Sequence, residues 1–354
     1  MDPAATCWAW HPKGPCRLEQ PVWLLRLDGA DALRFLHGQS SQAIALAPAG
    51  SALATCLISP TARMRALARV LVDDQGAWLL IETGDPEAVR AALDRVLFPA
   101  DQVQLGPLQP ALLVTLLGDD NLLSKTSLLG DQPQGEPGRW QPLSATNWLV
   151  EQQVLLQGAA AADPAADPDA HPLLSNSRPL SALEQERWRI QQGWPAAPGE
   201  LNDGTNPFEL GLAARVSLSK GCYVGQETLA KLATYDGVKQ QLRRWCWQTK
   251  EVSTASADGE SATAAALIAG QTLWSPSGDK AGTITSVLQV PQSDGTLWIG
   301  LALVRRSGLE HERLRAGEAG AGGEAGAAGE GPWLAVSVPQ GFVPPPAAQK
   351  PASA

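Results

Sequence analysis

Residues 220–228, Lys-Gly-Cys-Tyr-Val-Gly-Gln-Glu-Thr (KGCYVGQET), decide how the rest of the chain is read. One of only five cysteines stands there between a glycine and a tyrosine, with a lysine two residues before it and a second glycine three residues after. A cysteine packed as a small hydrophobe needs no such setting. A reactive thiol does, because a nearby cation or helix N-terminus favours the thiolate and glycine lets backbone approach a ligand closely. The following residues predict a helix starting near Val224, with its amide end towards Cys222. On this reading Cys222 is the reactive group and Lys220 its activating cation. Tyr223 is a wall or donor, and Gln226 and Glu227 either touch ligand or serve the helix start. Cys56, in an apolar run, and Cys246, between Trp245 and Trp247, read as structural.

Two other clusters carry concentrated polar chemistry. One is Asp31–Gln39 (DALRFLHGQ) with Ser59-Pro-Thr-Ala-Arg63 downstream. The other is Arg189-Ile-Gln-Gln-Gly-Trp-Pro195, followed by Pro198-Gly-Glu-Leu201 and Asn206-Pro-Phe-Glu-Leu-Gly211. Familiar catalytic signatures are missing: the chain has no Walker A loop, no G-x-G-x-x-G after a strand, no C-x-x-C pair and no G-x-S-x-G elbow. Cys7, His11 and Cys16 are close in sequence but sit on an end expected to be unstructured, so no metal site is expected from this chain alone. With four histidines, a histidine-based acid–base mechanism has little to draw on.

The 354 residues exceed a typical single core, so two or three domains are expected. Apolar residues at 44% and charged residues at 18% place the chain among folded proteins. A net charge of −9 argues against bulk nucleic-acid or anionic-membrane binding. The longest apolar run, Ala111-Leu-Leu-Val-Thr-Leu-Leu117, is far shorter than the ~20 residues a spanning helix needs. The start MDPAATCWAWHPKGP has no signal-peptide pattern, and five scattered cysteines suit a reducing compartment, so a cytoplasmic monomer is expected.

Periodicity predicts strands at Val22–Leu27, Ala54–Ile58, Arg65–Val72, Ala77–Glu82, Ala111–Leu117 and Trp148–Leu155. Helices are predicted over Ala30–His37 with Asp28 as cap, after Asp85-Pro86, around Asp120–Leu128, and from the capping box Ser181-Ala-Leu-Glu184 to Gly193. The last should turn Leu183, Arg187, Ile190 and Trp194 to one side. After Lys239 short strands recur near 242–248, 272–274, 281–287, 297–304 and 334–338, the pattern of a small β-barrel or sandwich. The resulting division is an N-terminal tail (1–19), an α+β region (20–240), a barrel (241–340) and a disordered tail (341–354). Low-complexity insertions are read at 158–170, 253–266 and 316–331.

The combination Lys220-Gly-Cys-Tyr-x-Gly-Gln-Glu227, Arg189…Gly193 and Asn206-Pro…Glu209 resembles the YgfZ-type folate-binding proteins. These are related to the glycine cleavage T-protein (an aminomethyltransferase) and to a mitochondrial iron–sulfur assembly factor. The resemblance covers about residues 20–340. It implies two ferredoxin-like α+β subdomains and a C-terminal β-barrel around a central channel. It also implies tetrahydrofolate or a derivative as ligand, and a role with iron–sulfur proteins or their assembly machinery, reaching tRNA modification through such enzymes. A pterin needs an amide or carboxylate at its ring edge, apolar walls, and a cation for its glutamate tail. Gln191 and Glu200 are candidates for the edge, Trp194 and Phe208 for walls, and Arg189 or Arg63 for the tail. The spacing equally allows Arg189 and Glu200 to be a structural pair holding a loop. The stretch Ser59–Ala66 lacks the acidic pair that T-protein-like enzymes carry there, and Gln191 stands where their R-x-E-x-G element has glutamate. One-carbon transfer is therefore the alternative to an accessory role, and a non-catalytic interaction module is a third reading.

Overall fold

A computed structural model describes residues 7–118, 136–144, 147–158, 161, 174, 177–250, 266–317 and 331–346. The expected helix at 120–128, most of the three low-complexity insertions and the end of the C-terminal tail lie outside those residues.

The α+β part is built on strands β1 (Cys16–Asp28), β2 (Ala52–Ile58), β3 (Met64–Val72), β4 (Gly76–Gly84), β5 (Gln104–Leu117), β6 (Trp140–Pro142), β7 (Asn147–Val150), β8 (Gln153–Gln157) and β9 (Arg178–Pro179). They form one continuous nine-stranded sheet in the order β2-β3-β4-β1-β5-β8-β7-β6, with β9 parallel to β1. The sheet curls until its two ends meet at the Ser51–Arg139 bridge. The two expected α+β subdomains share this sheet through β1 and β5.

Strand alternation gives the sheet two apolar faces. The outer one, with Leu25, Leu27, Leu57, Val70, Leu79 and Ile81, receives helices α1 (Ala32–Gln39) and α2 (Pro86–Arg95) through Phe35, Leu36, Val89 and Leu93. The inner one, with Val22, Leu24, Leu71, Leu80, Leu113, Trp148 and Leu155, fills the curl. Trp78 and Trp140 pack there on Trp148 at ring separations of 5.3 and 5.0 Å.

Helix ends follow local chemistry. Asp85 caps α2 by accepting from the Ala88 amide at 3.1 Å. Helix α3 (Ala182–Gln192) has the reciprocal Ser181/Glu184 capping box and stops at Gly193 with φ 73°, where glycine tolerates the left-handed turn. It buries Ile190 and Gln191, while Leu183 and Trp194 are exposed, so its inward face differs from the expected stripe.

Helix α4 (Gln226–Thr234) leads into the barrel strands β10 (Gln240–Lys250), β11 (Thr272–Trp274), β12 (Lys280–Gln292), β13 (Gly295–Arg305), β14 (Arg313–Gly317) and β15 (Trp333–Ser337). They close in the order β10-β13-β12-β11-β14-β15 around Trp245, Leu273, Ile284 and Leu314. Strand β14 corrects the insertion boundary. Ala316 is fully buried and pairs with Leu273, so the core claims residues that composition assigned to a loop.

Other differences have equally local causes. Trp148–Leu155 is a hairpin, turning at Glu151 with φ 54°, where the polar Glu151-Gln152-Gln153 separates two short apolar runs. Strand β5 starts at Gln104 despite Pro107 and Pro110, since β8 pairs only with Ala111–Val114 and the prolines face no ladder on that side. Asp28 belongs to β1, and Asp31 takes the N-cap position of α1. The N-terminal segment is packed from residue 7, with Cys7 and Trp8 buried against Ile190, Leu242 and Leu301. No group of three metal-ligating side chains occurs among the described residues.

Candidate functional site

The motif at 220–228 is stitched to the end of α1. Helix C-termini leave carbonyls without intrahelical partners, and Lys220 supplies what they lack. Its Nζ donates to the carbonyls of His37, Ser40 (2.6 Å) and Gln42 (2.8 Å) and lies 4.2 Å from the centre of the Tyr223 ring. Burial pulls the ammonium down to about 7. The geometry opposes that pull, because each of three protons meets an oxygen and only the charged form fills all three contacts. Spacing suggested a cation for the thiol; the fold spends it on α1. Lys220 is a positioning residue.

Its neighbours are scaffold too. Val224 donates its amide to the Gly38 carbonyl at 3.0 Å. Gly225, at φ 80°, is the N-cap of α4, and a Cβ there would lie 2.8 Å from both Ile58 Cδ1 and the Ser59 carbonyl. That glycine serves packing on the β2–β3 turn. Gln226 Nε2 donates to the Lys220 carbonyl at 3.2 Å. Tyr223 is buried among Cys56, Ile58, Met64 and Phe208, where burial pushes its phenol up to about 12 and leaves the hydroxyl without a partner. Glu227 pairs with Lys231 on the exposed face of α4. What remains is Cys222, an exposed cysteine beside Gly221, whose Cβ position has nothing within 4 Å. Lys220, the Val224 amide and Gln226 hold the loop, and the thiol is presented.

Lys220→Met tests the stitching. It strips three carbonyls of a charged donor and should cost about 2–3 kcal/mol, read as a lower denaturation midpoint. A midpoint within experimental error of the parent protein would show that water replaces the ammonium without loss.

The β2–β3 turn joins this region to the second cluster. Ala62 sits at φ 59°, and Arg63 donates its backbone amide to Ser59 Oγ and Nη1 to the Gly204 carbonyl at 2.8 Å. Asn206 and Glu209 cap each other: Asn206 Oδ1 accepts from the Glu209 amide, and Glu209 Oε2 from the Asn206 amide, each at 3.1 Å. Burial pushes the Glu209 carboxyl upward, against the pull of that amide and of Arg63. The fold therefore gathers Ser59–Arg63, Gly204–Glu209 and Lys220–Gln226 around one corner.

Arg189 and Glu200 do something else. Arg189 donates Nε and Nη2 to Glu186, Nη1 to the Trp194 carbonyl and to Glu200, and Nη2 again to Ser286 Oγ of β12. All five guanidinium protons are used within the chain. Glu200, fully buried, accepts from Arg189 (3.2 Å), the Ala196 amide (3.0 Å) and Ser286 Oγ (2.6 Å). The pair locks α3 and the 194–201 loop to the barrel. The expectation that these two meet a ligand gives way to the loop-holding alternative, because no donor is left over. Trp194 is exposed and contributes its carbonyl. Gln191 is buried, with Nε2 on the Trp10 carbonyl and Oε1 unpaired.

Sequence reasoning missed the most highly charged interior feature. Glu82 on β4 takes Arg69 of β3 at 2.8 Å and Arg215 at 2.7 Å, and Arg69 also reaches Glu151 at 3.2 Å. Arg69 and Glu82 share parity with inward-facing Leu71 and Leu80, so alternation was the available signal. Cys56 is fully buried and burial pushes its thiol up to about 12, in keeping with a structural role.

No family model matches the sequence. A chloroplastic protein of Arabidopsis thaliana bearing the name "Putative transferase" is 30% identical over 231 residues, 62% of this chain and 52% of its own length. The chain thus spans about half the length of that curated relative. Among solved structures, the glycine cleavage system aminomethyltransferase T of Bartonella henselae is similar with a TM-score of 0.69, covering 97% of this chain and 90% of that one. The fold is that of the aminomethyltransferase T. At 15% identity the likeness extends to architecture, including the small C-terminal barrel, and not to substrate. No described helix is long and apolar enough to cross a membrane.

Proposed function

We propose that the protein binds a tetrahydrofolate-type ligand and supports iron–sulfur cluster proteins through Cys222. One observation supports the reading: contacts made at Lys220, Val224, Gly225 and Gln226 fix the loop that carries the exposed Cys222 thiol. The aminomethyltransferase fold and the KGCYVGQE resemblance supply the ligand class.

The residues fit folate binding better than folate chemistry. Gln191 keeps a buried amide oxygen unpaired, suited to a pterin N–H, and Arg63 is half-buried with one guanidinium contact to the Gly204 carbonyl. A bound folate would supply a one-carbon carrier. The turn Ser59–Arg63 presents hydroxyls and no carboxylate, while Glu82 and Glu200 are engaged by arginines. These residues bind and orient; no transfer step follows from them. For iron–sulfur clients, one thiol falls short of the usual four ligands, so a partner or a second copy supplies the rest.

Equilibrium titration with tetrahydrofolate should show saturable binding. Cys222→Ser should keep fold and affinity yet fail to support iron–sulfur enzymes in cells lacking the native protein. Under native conditions an alkylating reagent should modify Cys222 well before the buried Cys56. Full support by the serine variant would reduce Cys222 to a surface residue.

A further inference from the structure

The N-terminal segment covers α3 at a cost in unpaired polar groups. Trp10 lies under Arg187, whose Cζ is 4.7 Å from the ring centre, and meets Trp188 edge-on at 6.5 Å. Trp8 lies under Arg244 at 4.6 Å. Segment and helix are joined by a hydrogen bond from Gln191 Nε2 to the Trp10 carbonyl, at 3.0 Å. Around it, Trp8 Nε1, Arg187 Nε, Trp188 Nε1 and Gln191 Oε1 are all buried without a partner. Trp8 and Gln191 are more than nine-tenths buried. Buried polar groups are ordinarily satisfied, and a concentration of exceptions on one helix face needs a cause.

The chemistry of the orphans is specific. Trp8 belongs to the segment itself; the orphans on α3 are two N–H donors, Arg187 Nε and Trp188 Nε1, and one amide oxygen, Gln191 Oε1, beside an indole that an arginine covers. That is the complement of a flat heteroaromatic ring with an acceptor-rich edge and one N–H of its own. The Trp10 indole reproduces the flat face and none of the polar edge.

We propose that residues 7–12 form an internal plug, in which Trp10 stands in for the ring of a pterin-like ligand and is displaced when that ligand binds α3. This rests on the folate reading and adds regulation to it: the free protein is self-occupied, and apparent affinity is the intrinsic affinity multiplied by the fraction of chains with the plug released. Arg187 and Trp188 become ligand-contacting residues beside Gln191. The arginine stacks on the incoming ring, and the indole N–H meets its acceptor edge.

The test uses the full chain with folic acid and tetrahydrofolate as probes. Hydrogen exchange over residues 7–12, and tryptic cleavage after the exposed Lys13, should speed up on ligand addition. Trp10→Ala should tighten binding about tenfold by removing the competitor. Equal or weaker binding by Trp10→Ala, with exchange unchanged in a native protein that does bind folate, overturns the plug and leaves the folate reading standing. Absence of binding to both proteins overturns the two together. Binding by Trp10→Ala alone supports both. The exchange measurement needs no substitution, so it decides the matter even where the variant is unstable.

Discussion

Arg189→Ala is expected to lose about 3–5 kcal/mol of stability, enough to leave the barrel poorly attached to the rest of the chain. The substitution strands Glu200, a fully buried carboxylate, with the Ala196 amide and Ser286 Oγ as its remaining donors. It also frees Glu186 and the Trp194 carbonyl. Burial lowers the tendency of Arg189 to stay charged, and Glu186 and Glu200 more than restore it, so the native state is organised around the cation. Glu200→Gln keeps the shape and removes the uncompensated charge. The double variant Arg189→Ala/Glu200→Gln should therefore recover part of the loss, a coupling that denaturant midpoints would resolve. Additive losses, or a single variant as stable as the parent protein, would show that the pair is incidental. A folate contact at Arg189, as the family resemblance implies, would instead reduce affinity at unchanged stability.

Glu82→Gln should cost a similar ~3–5 kcal/mol at neutral pH, because it leaves Arg69 and Arg215 facing each other across a neutral amide inside the sheet. Burial works against the charged form of Glu82. The guanidiniums of Arg215 and Arg69 outweigh it and hold the carboxyl below its ordinary value. With the folded pKa depressed, the stabilisation is present above the unfolded value of ~4.3 and is lost as pH falls through the folded one. Between the two values the unfolded chain binds more protons, so stability falls on acidification. The parent protein should thus lose its advantage over Glu82→Gln as pH drops below about 4. A stability difference that stays constant from neutral to acid pH would mean that Glu82 acts through shape rather than charge.

Both predictions concern residues whose meaning changed on folding. Arg189 and Glu200 are eleven positions apart, a spacing compatible with a ligand clamp and with an internal lock. Ser286, on a distant barrel strand, decides between them, and nothing near residue 189 announces it. Lys220 shows the same thing at short range. Two residues from Cys222 it looks like an activator, yet its acceptors are the carbonyls of His37, Ser40 and Gln42, roughly 180 positions earlier. Backbone carbonyls carry no signature in a sequence, so a lysine that serves them cannot be told from one that serves a thiol.

Elements whose causes are local were legible. The Ser181/Glu184 box, Asp85 before Pro86, Gly193 after α3 and the short barrel strands follow from groups a few residues apart. The glycine, lysine and tyrosine that single out Cys222 lie within the same eight residues, and its exposure is what the fold adds. Tertiary structure alone decided that β1 and β5 merge two halves into one curled sheet, that Ala316 is core, and that Arg69, Glu82 and Arg215 meet inside. It also decided that Trp8 and Trp10, on what composition suggested was a loose tail, pack onto α3. The reason is the range of the forces involved: capping and turn chemistry act within a few residues, whereas burial and charge pairing depend on which surfaces the finished fold brings into contact.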